Sequence, residues 1–224
     1  MSRPEPAPAR PLGRRPYGRY VGLLAVLIFV LITINTVVTK QSGLHGIEPG
    51  HRLPPFAVPL VLSDVNADSD IATHANEGAA GRVPACQERG PAVLNVCQLY
   101  EQGPLVLALF IDAGACPQVL SDMQALVRSF PGVRFAAVAL KGDRDHLRTL
   151  VRSMHLSFPV GVDRDGALAG LYKLVSCPQV SFVYPGGVVQ SPAVELRPPR
   201  AVLRARVSEL IAAARARGWR GAST

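Results

Sequence analysis

The sequence predicts an α/β fold, a central mixed sheet flanked by helices, preceded by one N-terminal transmembrane helix. The sheet is predicted because short apolar runs alternate with segments of 3.6-residue periodicity, as in parallel strands joined by helices. Its last two runs are separated only by Pro185-Gly186-Gly187, which indicates an antiparallel hairpin. The transmembrane helix is predicted because residues 20–39 contain no charged side chain and are long enough to cross a bilayer core.

The N-terminal region divides into a tail, an anchor and a stalk. Residues 1–19 are rich in proline and arginine and are expected to be disordered. The length of segment 20–39, with a poor match of residues 36–40 to a small-residue cleavage site, favours an uncleaved anchor over a signal peptide. Five arginines but one acidic residue precede it, so we expect a cytoplasmic tail and an extracytoplasmic domain at the plasma membrane. A stalk follows over residues 40–55.

The extracytoplasmic domain is expected to span residues 56–218, with an irregular insertion over residues 63–103 and a C-terminal tail over residues 219–224. Residues 56–62 are typical of an edge strand because Pro59 cannot donate to a ladder. The remaining predictions are a short helix over residues 91–100, strands over 104–111, 133–140, 158–162, 179–184 and 188–194, and helices over 117–130, 143–154, 167–174 and 199–217.

The net charge of +8 does not indicate a nucleic-acid-binding protein. About half of it comes from the N-terminal tail, and a basic C-terminal helix carries much of the rest. No aromatic residues are interleaved with this basic helix and no nucleic-acid motif accompanies it. We therefore expect a solvated helix face and no nucleic-acid partner.

The four cysteines are the main candidates for chemistry. Cys116 follows a predicted buried strand and comes just before a helix, where unpaired N–H groups and the helix dipole stabilise a thiolate; an inert buried side chain is the alternative. Cys177 precedes Pro178 at the start of a strand. Cys86 and Cys97 lie in the insertion. An even number of cysteines outside the cytosol fits two disulfides, and three pairings are open.

From Pro104 to Val189 the chain resembles the thioredoxin superfamily. The matching pieces are, in order, LVLALF, a loop with Cys116-Pro117 and a helix, VRFAAVAL, LSFPVGVDRDGALAGLYKL and SCPQVSFVYPGG. The resemblance is closest to the redoxin and alkyl hydroperoxide reductase/thiol-specific antioxidant group and to membrane-tethered thioredoxin-like proteins. It implies a thioredoxin-like fold with Pro178 as the cis-proline, and it places Cys177 against Cys116 as a disulfide or redox pair.

The sequence departs from the family's cysteine motifs. Val119 stands where the second cysteine of C-x-x-C is expected, and an alignment counted from Phe110 puts Ala115 at the first cysteine. Either way the dithiol motif is absent. The peroxiredoxin pattern P-x-x-x-T-x-x-C also fails, because its proline and threonine positions hold Leu109 and Ala113.

Three functional hypotheses follow. The first is a thiol–disulfide oxidoreductase in which Cys116 is the attacking thiolate, Cys177 is its partner and Pro178 shapes the substrate groove. The second is a redox-inactive binding module whose disulfides are structural, and the third is a thiol peroxidase with antioxidant activity. Cys86 and Cys97 form a structural disulfide that holds the insertion, or one of them resolves an oxidised Cys116.

The expected partners are the membrane and a protein thiol or disulfide. No cofactor or metal is expected. A copper site formed by Cys116, Cys177 and a histidine is the metal alternative, but the five histidines lack ligand-like spacing to a cysteine. Asp112 is expected to cap its loop rather than accept a proton.

Overall fold

A computed structural model describes residues 20–31, 46–195 and 198–221. Residues 20–31 form an exposed α-helix, α1. The predicted tail (1–19), the end of the predicted anchor (32–39) and the start of the predicted stalk (40–45) lie outside the described residues. Within the described ranges, no helix combines the length and the apolar character that crossing a membrane requires.

A small antiparallel sheet pairs β1 (Ala57–Pro59), within the predicted strand over residues 56–62, with β2 (Val93–Asn95) in the insertion. The prediction of one helix over residues 91–100 is therefore wrong at its start, and helix α2 covers only Val96–Glu101. The reason is Asn95, which is extended at φ −109° and ψ 117° and caps α2 by accepting a hydrogen bond from a backbone N–H. The three residues before α2 pair with β1 instead.

The rest of the insertion is irregular but tied down by polar side chains. It contains two short 3₁₀ helices, Gly78–Ala80 and Ala85–Gln87. The side-chain amide of Asn95 donates to the carbonyl oxygens of Ala85, at 2.7 Å, and Glu88, at 2.8 Å. These bonds satisfy backbone acceptors that no regular ladder would reach.

Five strands form the central sheet: β3 (Leu105–Phe110), β4 (Arg134–Leu140), β5 (Val160–Asp163), β6 (Gln179–Val183) and β7 (Val189–Glu195). Their order is β5-β4-β3-β6-β7. Strands β3, β4 and β5 are parallel, and β6 and β7 run antiparallel to their neighbours. The predicted mixed sheet with a closing hairpin is confirmed.

Helices cover the sheet on both faces: α3 (Gln118–Val127), α4 (Arg144–Ser153), α5 (Ala167–Leu171) and α6 (Arg200–Ala216). Alternate residues of β3 enter different cores, because neighbouring side chains of a strand point to opposite faces. Val106, Ala108 and Phe110 pack with α3, α4 and α6. Leu105 and Leu107 pack with α2, α5 and the insertion. Burial on both faces explains the continuous apolar run of Leu105–Phe110.

Two described segments at the ends of the domain pack against it. Leu53, in the predicted stalk, is buried, and its N–H donates to the Gly187 carbonyl at 2.8 Å. Trp219, in the predicted C-terminal tail, lies against Gly132, where an added Cβ would be 3.0 Å from its ring. Gly103 is also beside this ring. Trp219 therefore sits at the amino ends of β3 and β4.

Candidate functional site

Two loops meet where β3 ends and β6 begins. Cys116 lies in the loop between β3 and α3, and Cys177 lies in the turn that enters β6. The two strands are antiparallel, with Leu109 paired to Gln179. Two residues further along the same register, Ile111 lies opposite Cys177. The strand pairing itself therefore brings the turn before β6 to the carboxyl end of β3.

A disulfide joins the two loops. It connects Cys116 to Cys177 across 61 residues, with the Cα atoms 5.6 Å apart, well inside the usual range for disulfides. The Cys177–Pro178 peptide bond is cis, as the resemblance implied. The backbone N–H of Ile111 donates a hydrogen bond to the Cys177 sulfur at 3.1 Å. Nothing in the residue types predicts this donor, because it depends on the register of β3 and β6.

The two cysteines of this disulfide differ in burial. Cys116 exposes 7% of its surface and belongs to the core beneath α3 and α6. Cys177 is only partly buried and packs on the edge of that core. Two exposed apolar residues flank the bond, Ile111 at 40% and Val175 at 58%; we call this pair the apolar rim. An apolar rim around a solvent-accessible disulfide is a surface that a partly unfolded polypeptide could contact.

Cys116 stands just outside the first turn of α3. The helix begins at Gln118, after Pro117, and the Cys116 carbonyl accepts from the Val119 N–H at 3.4 Å. The preceding turn uses Gly114, whose φ of +56° is a left-handed conformation suited to glycine. A thiolate at Cys116 would therefore lie close to the positive end of the α3 dipole, as the sequence predicted.

A carboxylate–imidazole pair lies in the same loop region. Asp112 Oδ2 is 3.4 Å from His146 Nε2, and the Asp112 side chain is 14% exposed whereas that of His146 is 65% exposed. Asp112 was expected to cap its own loop and instead faces the first turn of α4. The only sequence feature that could have located His146 is Asp143. Its side chain caps α4 by accepting from the His146 N–H, which places His146 in the first turn of that helix.

The second disulfide is separate from the first. Cys86 and Cys97 are bonded with Cα atoms 5.4 Å apart, and Cys97 is 1% exposed. Cys97 belongs to the core on the insertion side of the sheet, whereas Cys116 belongs to the other core. The structure therefore does not bring Cys86 or Cys97 to Cys116, and the idea that one of them resolves an oxidised Cys116 gains no geometric support.

No metal site accompanies these cysteines in the part of the chain that the structure describes. Among residues 20–31, 46–195 and 198–221, no three histidine, cysteine or acidic side chains converge as ligands would. The oxidised sulfurs of Cys116 and Cys177 are bonded to each other, so the chemistry that this arrangement offers is thiol–disulfide exchange.

Comparison with known proteins supports the fold by structural similarity but finds no related sequence family. No protein-family model and no curated protein matches the chain. Among solved structures, a provisionally assigned thiol:disulfide interchange protein DsbE from Chlorobium tepidum is similar, with a TM-score of 0.56 at 16% identity over 74% of this chain and 99% of that one.

Two Bacteroides structures show the same likeness. A thiol-disulfide oxidoreductase from Bacteroides fragilis gives a TM-score of 0.51 at 14% identity, covering 71% of this chain and 99% of that one. A provisionally assigned protein disulfide isomerase from Bacteroides thetaiotaomicron gives 0.53 at 11% identity, covering 75% and 94%. Identities this low carry the architecture and not the activity, and the architecture is a thioredoxin-like fold.

Proposed function

We propose that the protein is a thiol–disulfide oxidoreductase held on the outer face of a membrane by its N-terminal apolar segment. The observation that carries the proposal is the Cys116–Cys177 disulfide, which lies beside the cis-proline Pro178 and the exposed apolar rim. The pair replaces the absent C-x-x-C dithiol, and Pro178 shapes the groove beside it. In the net reaction, two thiols of a protein substrate become a disulfide while Cys116–Cys177 becomes two thiols, or the reverse.

The proposed location rests on the sequence and on the state of the cysteines. Residues 20–39 are uncharged, and the arginines before them favour a cytoplasmic N terminus. All four cysteines are paired in disulfides. Disulfides persist outside the reducing cytosol, so the pairing supports an extracytoplasmic domain. Protease protection of residues 46–221 in intact cells, lost on permeabilisation, would contradict this location.

The test of the activity is disulfide mapping of the full chain during titration with a graded thiol buffer. We expect Cys116–Cys177 to open at milder potentials than Cys86–Cys97, and the wild type to exchange disulfides with a reduced, unfolded protein. Cys116→Ser should abolish the net oxidation of that substrate, because the site then has no disulfide to donate. The control is the pair Cys86→Ser and Cys97→Ser, which should retain it. A Cys116–Cys177 bond that resists reduction as strongly as Cys86–Cys97 would contradict the proposal.

A redox-inactive binding module is the second candidate, and one observation favours it. Cys116 is 7% exposed and its own loop holds no second cysteine, and both features suit a purely structural disulfide. The apolar rim would then serve as a contact surface for a protein partner. The same titration separates the two functions, because a structural bond predicts joint resistance of both disulfides and exchange no faster than that of a protein lacking cysteines.

The third hypothesis, a thiol peroxidase of the redoxin or alkyl hydroperoxide reductase type, has no specific observation in its favour. It would require hydroperoxide consumption that depends on Cys116. The same Cys116→Ser variant tests it.

A further inference from the structure

The two sulfurs of the candidate redox disulfide are not equally open to attack. An incoming thiolate approaches one sulfur on the side opposite the other, so the sulfur nearer to solvent is the one that it reaches. Cys116 is 7% exposed and part of the core under α3 and α6, whereas Cys177 lies at the edge of that core. The apolar rim lies on the Cys177 side, since Val175 is two residues before Cys177 and the Ile111 N–H contacts the Cys177 sulfur.

The hydrogen bond at Cys177 suits a sulfur that bonds to substrate. The Ile111 N–H, 3.1 Å from the Cys177 sulfur, belongs to the residue directly after β3 and is fixed by the pairing of that strand. A fixed donor holds the sulfur in place in the mixed disulfide. It also stabilises the negative charge when Cys177 leaves as a thiolate in the second step.

The position of Cys116 suits the complementary role. A thiol that leaves readily is one whose thiolate is stabilised, and the N-terminus of α3 provides such stabilisation next to Cys116. The sequence alone assigned the attacking role to Cys116 on this same ground. Burial of Cys116 favours the opposite role. A stabilised but buried thiolate is a good leaving group, but a large substrate cannot readily reach it.

We infer that Cys177 is the cysteine that forms the mixed disulfide with the substrate and that Cys116 is the resolving cysteine, an assignment that rests on the proposed function. In the oxidising direction a substrate thiolate bonds to Cys177, the Cys116–Cys177 bond breaks, and its electron pair goes to Cys116, which takes up a proton from water. A second substrate thiolate then attacks the substrate sulfur of the mixed disulfide. The substrate disulfide forms, and Cys177 leaves with the electron pair.

The test maps the first bond formed in the wild type. The oxidised full chain is mixed briefly with reduced glutathione as the probe, quenched with N-ethylmaleimide and digested for mass spectrometry. We expect glutathione on Cys177 and maleimide on Cys116. Glutathione mainly on Cys116 would overturn the assignment but leave the proposed function intact. A disulfide that glutathione does not open, while Cys86–Cys97 is equally closed, would overturn the proposed function itself.

Single-cysteine variants give an independent measurement. Cys116→Ser and Cys177→Ser each leave one thiol at the site and retain Cys86–Cys97 as an internal control for folding. With glutathione disulfide as the probe, Cys116→Ser should form its mixed disulfide about tenfold faster than Cys177→Ser, because accessibility sets the rate of exchange. Equal or reversed rates in two variants with intact Cys86–Cys97 bonds would contradict the assignment.

Discussion

The two disulfides have nearly the same Cα separation but different surroundings. Their Cα separations are 5.4 and 5.6 Å, yet Cys86–Cys97 closes 11 residues within the insertion and Cys116–Cys177 joins loops 61 residues apart. The first lies on the insertion side of the sheet near Tyr100, whose hydroxyl oxygen is 3.9 Å from the Cys86 sulfur. The second lies at the carboxyl end of β3 beside a backbone donor and the apolar rim.

The Cα separation therefore does not distinguish the disulfide proposed to be redox-active from the one proposed to be structural. The two disulfides are better compared by the groups that contact their sulfur atoms. Each bond joins a buried cysteine, Cys97 at 1% or Cys116 at 7% exposed, to a partly buried one, so burial alone does not distinguish the two bonds. The Cys177 sulfur accepts from a backbone N–H at 3.1 Å, which strand pairing fixes, whereas the Cys86 sulfur has the Tyr100 hydroxyl at 3.9 Å. Variants at the two bonds and in their loops test whether this difference matters.

Removing each disulfide as a pair should give the largest effect. Cys116→Ser with Cys177→Ser should abolish thiol exchange and lower the free energy of unfolding by about 4 kcal/mol, because the closed loop is long. Cys86→Ser with Cys97→Ser should retain exchange and cost about 3 kcal/mol, because the closed loop is short. Urea unfolding and an exchange assay on both double variants give the two readouts. Equal loss of exchange in both would remove the distinction between the two bonds.

A substitution in the insertion should destabilise the protein without changing the Cys116–Cys177 disulfide. Gly81 has φ +142°, and a Cβ added there would run into the Asp70 carboxylate. Gly81→Ala should therefore cost about 2 kcal/mol of unfolding free energy, as overpacked sites do. The midpoint of Cys116–Cys177 reduction, followed by alkylation and mass spectrometry, should be unchanged. A shift in that midpoint would show that the insertion and the redox site are coupled.

The matching substitution in the loop between β3 and α3 should have a smaller effect. Gly114 has φ +56°, but an added Cβ would meet no atom within 4 Å. Gly114→Ala should cost about 1 kcal/mol, from backbone conformation alone. Because the turn that carries Cys116 is affected, the rate of thiol exchange should fall while Cys86–Cys97 reduces as in the wild type. An exchange rate equal to that of the wild type would mean that this turn does not position Cys116.

The smallest effect should be a pH dependence confined to the insertion. Partial burial, and then the neighbouring Asp70 carboxyl, raise the pKa of Glu88 above its usual 4.5. A raised folded-state pKa means that the folded protein binds the proton more tightly, so this stabilisation is complete below the unfolded-state pKa and is lost as pH rises through the folded one. Amide hydrogen exchange around Glu88, corrected for its intrinsic pH dependence, should show less protection as pH rises.

Glu88→Gln is the control for that measurement. The amide keeps the neutral form at all pH values, so the pH dependence around residue 88 should disappear. The same dependence in the variant would assign it to another group.

The regular part of the domain could be predicted because each element carries its own signal. The apolar run of β3 and the 3.6-residue pattern of α3 reflect burial, which composition records directly. Asp143 caps α4, and such a cap can be recognised in a sequence because capping is local. Strand β2 was not predicted, since its three residues are shorter than any periodicity and form a strand only by pairing with β1.

The site could be predicted only in part, for a similar reason. The resemblance brought Cys116 and Cys177 together, and the cis bond at Pro178 followed from it. The Ile111 donor and the unequal burial of the two sulfurs depend on strand register and on the packing of α3. The spacing of the cysteines in the sequence predicts neither feature. Both enter the inference about which sulfur a substrate reaches.

The position of Trp219 has an optical consequence. It is the sole tryptophan of the chain, and it rests near Gly103 and Gly132 at the amino ends of β3 and β4. The Cys116–Cys177 disulfide lies beyond the other end of β3, about 20 Å away at the rise of a strand. The fluorescence of Trp219 should therefore report the loss of α6 packing on unfolding and should not change when Cys116–Cys177 opens. One emission signal can thus compare the stability of the oxidised and reduced proteins without a correction for quenching by the sulfurs.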